Sequence, residues 1–183
     1  DNSRHVIYID SLINDMVTID GFQINSGHTG DDPMLAEINW RGGGIFSYSA
    51  VDIKNCSFSQ NFGRSGSAVY ISPNGGGVMS SNFESCLFNQ NRTSSQSAGL
   101  FLNQTNNVTI TECTFSNNET VRGAFYPLFC NNVVLTKCKF SNNKTIDNVS
   151  FGGASFVWNS VGLQFLDCEF IDNEAGNAGA LFM

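Results

Sequence analysis

The chain has 183 residues, 41% of them hydrophobic, and a formal charge of -7 from 16 acidic and 9 basic residues. The basic residues are scattered, so there is no positive patch of the kind that a nucleic acid or an anionic lipid surface requires. No apolar run approaches the roughly 18 to 20 residues that span a bilayer, and the opening Asp1-Asn2-Ser3-Arg4-His5 has no apolar signal core.

The first periodic segment is Val17-Thr18-Ile19-Asp20-Gly21-Phe22-Gln23-Ile24, a degenerate version of a phrase that later recurs five times. After it comes the longest interruption, residues 26–41, and then the small-residue step Gly43-Gly44-Ile45-Phe46. From Val51 onward the phrase is regular: an alternating segment, then Cys-x-Phe-x-x-Asn, then a small-residue step into an apolar run. Its cysteines are Cys56, Cys86, Cys113, Cys138 and Cys168, at spacings of 30, 27, 25 and 30 residues. The alternating segments (Val51 and Ile53, Val108 and Ile110, Val133 and Leu135, Leu163 and Phe165) read as half-buried strands. The apolar runs are Ser67–Ile71, Ala98–Leu102, Gly123–Tyr126, Gly153–Val157 and Gly179–Met183.

A period of this size marks a solenoid, because a unit too small to bury its own apolar face must stack on its neighbours. Three short strands per copy fit an all-β, right-handed parallel β-helix of pectin-lyase-like form, with about six coils and a height of about 30 Å at the strand spacing. Repeats near 17–50, 51–77, 78–106, 107–132, 133–161 and 162–183 form one continuous unit. The last residues stop inside an apolar strand, and the chain is therefore expected to be a piece of a longer protein. A propeller blade needs about 40 residues, and a sandwich has no reason to repeat one phrase.

If Ile53, Cys56 and Phe58 all face inward, alternation must break between them, and Asn55 suits a tight left-handed corner. Gly21 and Asp167 suit the same position; Ser85, Glu112 and Lys137 suit it less. Like residues then form ladders: the five cysteines; Phe58, Phe88, Phe115, Phe140 and Phe170; Asn61, Asn91, Asn118, Asn143 and Asn173. An aromatic ladder (Phe46, Tyr70, Phe101, Tyr126, Phe156, Phe182) has no orientation fixed by pattern, since its neighbours Val69, Leu100 and Leu181 are equally apolar. The ladder cysteines read as small buried hydrophobes rather than bridges, because stacked Cβ vectors run parallel. Cys130 stands outside the ladder without an evident partner. The ladder asparagines read as amides that satisfy turn backbone.

No catalytic or cofactor-binding residues are expected, because the acids occupy different places in the repeat. The densest group, Asp167, Glu169, Asp172 and Glu174, reads as a solvated surface. In the long interruption, His28, Trp40 and Arg41 are candidate binding residues, since loops on a rigid scaffold collect function, and Asp31 and Asp32 are weak candidates for calcium. Among seven Asn-x-Ser/Thr sites, Asn103 and Asn148 are the candidates for glycosylation in a eukaryotic source.

The pairing of Phe-x-x-Asn with a Gly-Gly-Ala-like step, complete at Gly152-Gly153-Ala154, resembles the repeats of the chlamydial polymorphic outer-membrane proteins and related surface β-helices. The likeness runs from about Val17 to Met183. It implies an autotransporter-like passenger or adhesin region at a cell surface or in the extracellular space. The expected role is a non-catalytic stalk, adhesin or scaffold whose partner is a protein or glycan at a cell surface, or a neighbouring copy of the chain, with no nucleic acid and no membrane insertion. The alternatives are a polysaccharide lyase or glycoside hydrolase fragment, and a filament-forming subunit.

Overall fold

A computed structural model describes residues 4–13, 15–30, 40–73 and 80–183. All strand pairing is parallel and joins successive copies of the repeat, so the chain winds as a solenoid whose walls are four sheets. Sheet I has seven strands: Ile7–Ile9, Ile45–Ser47, Val69–Ile71, Leu100–Asn103, Phe125–Leu128, Ser155–Phe156 and Leu181–Phe182. Sheet II has six, of which Val51–Lys54, Asn106–Thr111 and Asn131–Thr136 carry the alternating segments. Sheet III, also six-stranded, holds the Cys-x-Phe steps in Ser57–Ser59, Leu87–Asn89, Thr114–Ser116, Lys139–Ser141 and Glu169–Ile171, preceded by Gln23–Asn25.

Sheet IV corrects the expectation of three strands per coil. Its four two-residue strands, Phe62–Gly63, Arg92–Thr93, Glu119–Thr120 and Lys144–Thr145, follow the ladder asparagines. Two residues are too few to show a period, so the segment reads as loop in the sequence. A second addition lies at the start, where Ile7–Ile9 pairs with Ile45–Ser47 ahead of the first expected coil.

Register follows the ladders. Phe88 lies between Phe58 and Phe115, Phe140 lies between Phe115 and Phe170, and Ile24 takes the position below Phe58. Strand alternation breaks at two left-handed corners on either side of sheet III. The first is Asn55, Ser85, Glu112, Lys137 and Asp167, with φ between 51° and 54°, and Gly21 at 76°. The expected preference for Asn, Gly and Asp therefore fails as a residue rule although the geometry is strict. Lys137 and Glu112 adopt a conformation that costs L-residues about 1–2 kcal/mol, because each corner amide is held by the next coil, as in the Lys137 N–H to Leu166 carbonyl bond of 2.8 Å. The second corner is Gln60, Gln90, Asn117, Asn142 and Asp172, immediately before each ladder asparagine.

A further row of left-handed residues, Gln104, Phe129 and Asn159, lies between sheets I and II. It explains Cys130, which follows Phe129 as Thr105 follows Gln104. The Cys130 thiol sits 3.3 Å from the Thr105 hydroxyl and bonds the Leu102 and Leu128 carbonyls at 3.4 Å. Cys130 has no disulfide partner, as expected, and its thiol hydrogen-bonds instead: the position takes a small side chain with a hydrogen to donate. Small residues at the entry to sheet I have an equally local cause. A Cβ at Gly99 would lie 2.5 Å from the Ala124 carbonyl of the next coil, closer than any side-chain carbon can sit.

The lumen is one apolar cluster containing the inward residues of sheets I to III, including Val69, Leu100, Ile53, Ile110, Phe58 and Phe115. The aromatic ladder belongs to a second cluster of Phe46, Tyr70, Phe101, Tyr126 and Phe156 on the outer face of sheet I. That resolves its orientation: Val69 and Leu100 take the inside, and the rings alternate to the outside. Tyr8 extends the row, with its ring 5.7 Å from that of Phe46.

Candidate binding surface

The interior ladders are structural in their contacts. Phe58, Phe88, Phe115, Phe140 and Phe170 stack with centroids 4.6–5.0 Å apart and planes within 9°. Beside them, the ladder asparagines bond from coil to coil. The Asn118 amide donates to the Phe88 carbonyl of the coil below (3.0 Å) and to Asn143 Oδ1 of the coil above (2.8 Å), while its own Oδ1 accepts from the Asn91 backbone N–H and the Asn91 amide. Asn91 and Asn143 repeat the arrangement, Asn61 repeats its donor half while its Oδ1 accepts from the Gly27 N–H at 2.9 Å, and Asn173 donates to the Phe140 carbonyl at 2.9 Å. Burial of these amides withdraws Asn91, Asn118 and Asn143 from solvent.

Thiol chemistry is suppressed at Cys113 and Cys138, whereas the hydrogen bond with Cys113 holds the Cys86 pKa down and Cys168 is only half-buried. All six cysteines are free, and burial pushes the Cys138 thiol up to about 12. Cys113 is pushed up by its hydrogen bond with Cys86 and then by burial. A protonated, enclosed thiol is a poor nucleophile and metal ligand.

The three candidate binding residues are packed against the column: the exposed His28 ring stacks on Phe62 at 4.8 Å, the Arg64 guanidinium covers Trp40 at 4.5 Å, and that of Arg41 lies 4.8 Å above Tyr70. Asp31 and Asp32 lie outside the described residues. Among the described residues no group of three or more His, Cys, Asp or Glu side chains converges as a metal site. Asn103 is half-buried and donates to the Ser72 hydroxyl at 3.0 Å, whereas Asn148 is exposed in the turn held by Asp147. In that turn the Asp147 carboxylate accepts from the Ser150 hydroxyl and from the Val149 and Ser150 N–H groups, and these bonds hold its pKa down.

Concavities among the described residues mark the outside. One, of about 510 Å³, runs along the corner between sheets III and IV and is lined by Gln60, Gln90, Asn117 and Asn142 with Arg92, Glu119 and Lys144. Glu119 bonds both Arg92 (3.2 Å) and Lys144 (3.1 Å), so one carboxylate is shared between two cations and the wall keeps a net positive charge. On sheet II a depression of about 320 Å³ holds Asp52, Lys54 and Glu84. Lys54 lies 3.1 Å from Asp52, whose hydrogen bond raises the lysine pKa, and the charges of Glu84 and Asp20 raise it further.

The third cavity, also about 320 Å³, opens on sheet I between Arg122, Tyr126, Phe151, Phe156, Trp158 and Phe182. Trp158 stacks on Phe156 at 5.7 Å, and the Phe151 ring, tilted by 43°, lies 5.9 Å from the same ring. The Arg122 guanidinium stands 6.0 Å above Phe156 and beside Tyr126, whose pKa burial raises and Arg122 partly restores. Sequence reading missed this site because its parts belong to different phases of the repeat. The one available signal was Phe156-Val157-Trp158, where a second aromatic follows the ladder residue on the same face.

No curated protein and no solved structure matches the chain. A family model described as the right-handed β-helix region matches residues 38–183. With parallel sheets, stacked ladders and four-walled coils in agreement with that match, the chain belongs to the right-handed β-helix family.

Proposed function

We propose that the chain is a non-catalytic display column at a cell surface or in the extracellular space, offering its outer face to a glycan or protein partner. The observation that carries this reading is the amide chain through Asn61, Asn91, Asn118, Asn143 and Asn173 alongside the phenylalanine stack. Along most of the column each coil is locked to the next by buried side-chain bonds beside the apolar lumen, which together make a stiff rod. Side chains on the outside are free of that constraint and vary from coil to coil. The likeness to surface β-helix repeats points the same way.

A lyase or hydrolase reading has one observation in its favour, the Asp52, Lys54 and Glu84 depression, where Asp52 Oδ1 is buried without a hydrogen-bond partner. The electrostatics oppose it. A lysine that abstracts a proton must lose its own near neutral pH, and the surrounding acids hold Lys54 charged instead.

The test pairs binding with turnover. Immobilised chain should retain cells or glycans saturably while acidic polysaccharides incubated with it gain neither unsaturated nor reducing ends. Cleavage that disappears in Lys54→Gln would replace the display reading with the enzymatic one.

A further inference from the structure

The aromatic row on sheet I is treated differently along its length. At the first coils its rings are covered by other side chains of the chain: His5 stacks on Phe46 at 5.6 Å, Tyr48 packs edge-on to Phe46 at 4.7 Å, and Arg41 lies over Tyr70. At Phe156 the neighbouring rings are Phe151 at 5.9 Å and Trp158 at 5.7 Å, and both are exposed, at 36% and 48%. The turn that carries Phe151 is fixed by Asp147, so this ring stands on hydrogen-bonded backbone.

Arg122 gives the cavity its chemical sign. Lys54, Arg92, Lys137, Lys139 and Lys144 each pair with a carboxylate. Arg122 forms no ion pair among the described residues, although the chain carries 16 acids and is strongly anionic. It is an exposed guanidinium at the rim of an aromatic cavity, with its fork of donors uncommitted to any carboxylate.

We propose that this cavity binds a carboxylated sugar residue of a glycan, with the pyranose ring against Trp158 and Phe151 and the carboxylate on Arg122. The inference rests on the display reading and names its partner. Aromatic faces carry negative quadrupoles and favour the polarised C–H faces of a sugar ring. Arg is the side chain suited to two parallel bonds with a carboxylate. A cavity of about 320 Å³ takes a single residue of this kind, whereas a stable protein partner would need about 800 Å² on each side.

The experiment uses the whole chain with Trp40→Phe, so that Trp158 is the sole fluorophore of the two tryptophans. Titrants are glucuronate, galacturonate and N-acetylneuraminate, with glucose, galactose and phenylacetate as controls. Expected is saturable quenching by at least one acidic sugar, weakened about tenfold in Arg122→Gln, with neutral sugars unaffected by that substitution and the unfolding curve unchanged. Trp158→Ala, followed by ligand-detected NMR, should abolish binding. The proposal is overturned if no acidic sugar saturates the signal, if Arg122→Gln binds as well as the parent, or if phenylacetate competes equally. Should those results occur while the immobilised chain still retains cells, the display reading survives and only the pocket is lost.

Discussion

Two rows of stacked aromatic rings run the length of this molecule, one inside the coil and one outside. The inner row is uniform: phenylalanine in five coils, with interplanar angles of 3–9°. The outer row mixes Phe and Tyr, and its successive angles from Phe46 to Phe182 are 48°, 88°, 5°, 71° and 16°. Inside, each ring is confined by the same lumen and by the same Asn and Cys neighbours, so one geometry repeats. Outside, each ring answers to whichever loop covers it. Repetition thus marks where the sequence serves the column, and irregularity marks where it serves something else.

That contrast can be broken most severely at the amide chain. Asn118→Leu would leave the Asn91 N–H groups and the Phe88 carbonyl buried without partners, each costing about 1–3 kcal/mol. A loss of about 4 kcal/mol or more in denaturant unfolding is expected, and a loss under 1 kcal/mol would show that water replaces the ladder. Ring deletions come next. Phe115→Ala should cost about 3–5 kcal/mol, while Phe101→Ala on the outer row should cost about 2 kcal/mol, because flexible covering side chains can settle into the space. Equal costs would erase the distinction between the rows.

Smaller effects sharpen the same picture. Buried thiols keep their protons in the folded state, so the Cys138 pKa is raised from 9.0 to about 12. The associated stability is complete below pH 9 and is lost as pH rises toward 12. Alkaline titration should therefore destabilise the chain, and Cys138→Ser should flatten that part of the profile. Relief of the left-handed corner in Lys137→Gly should raise stability by about 0.5–1 kcal/mol despite the added chain entropy of glycine, measured as a small increase in Tm. Glu119→Gln, which removes the charge shared by Arg92 and Lys144, should change stability by less than about 1 kcal/mol because all three side chains are exposed.

What the sequence disclosed follows the same division. Cys-x-Phe-x-x-Asn was legible because each of its side chains faces an environment identical in every coil, and repetition is the imprint of that identity. Corner geometry was only half legible: Asn55 and Gly21 advertise a left-handed residue, but Glu112 and Lys137 are forced into it by neighbouring coils, and no local preference records that. The two-residue strands of sheet IV were too short to carry a period. Cys130 is unbridged as expected, but its row was not legible because the position accepts Thr105 and Ser160 as equals, which hides the repeat behind three residue types. The aromatic cavity escaped for a deeper reason. Arg122, Phe151 and Trp158 come from consecutive coils but different sides of the sheet I strands, so only the winding of the chain brings them together.

The claim that the inside is structure and the outside is function is most directly tested by hydrogen exchange of side-chain amides. Asn118 and its neighbour Asn117 carry the same chemical group one residue apart, the first buried within the ladder and the second exposed at the corner. The Asn118 Nδ2 protons should exchange only through global unfolding, as slowly as the most protected backbone amides, while those of Asn117, held by one exposed bond to Asn89 Oδ1 at 2.9 Å, exchange through local opening and far faster. Comparable rates at the two residues would mean that no continuous amide chain runs through the column, and the account would fail at its base.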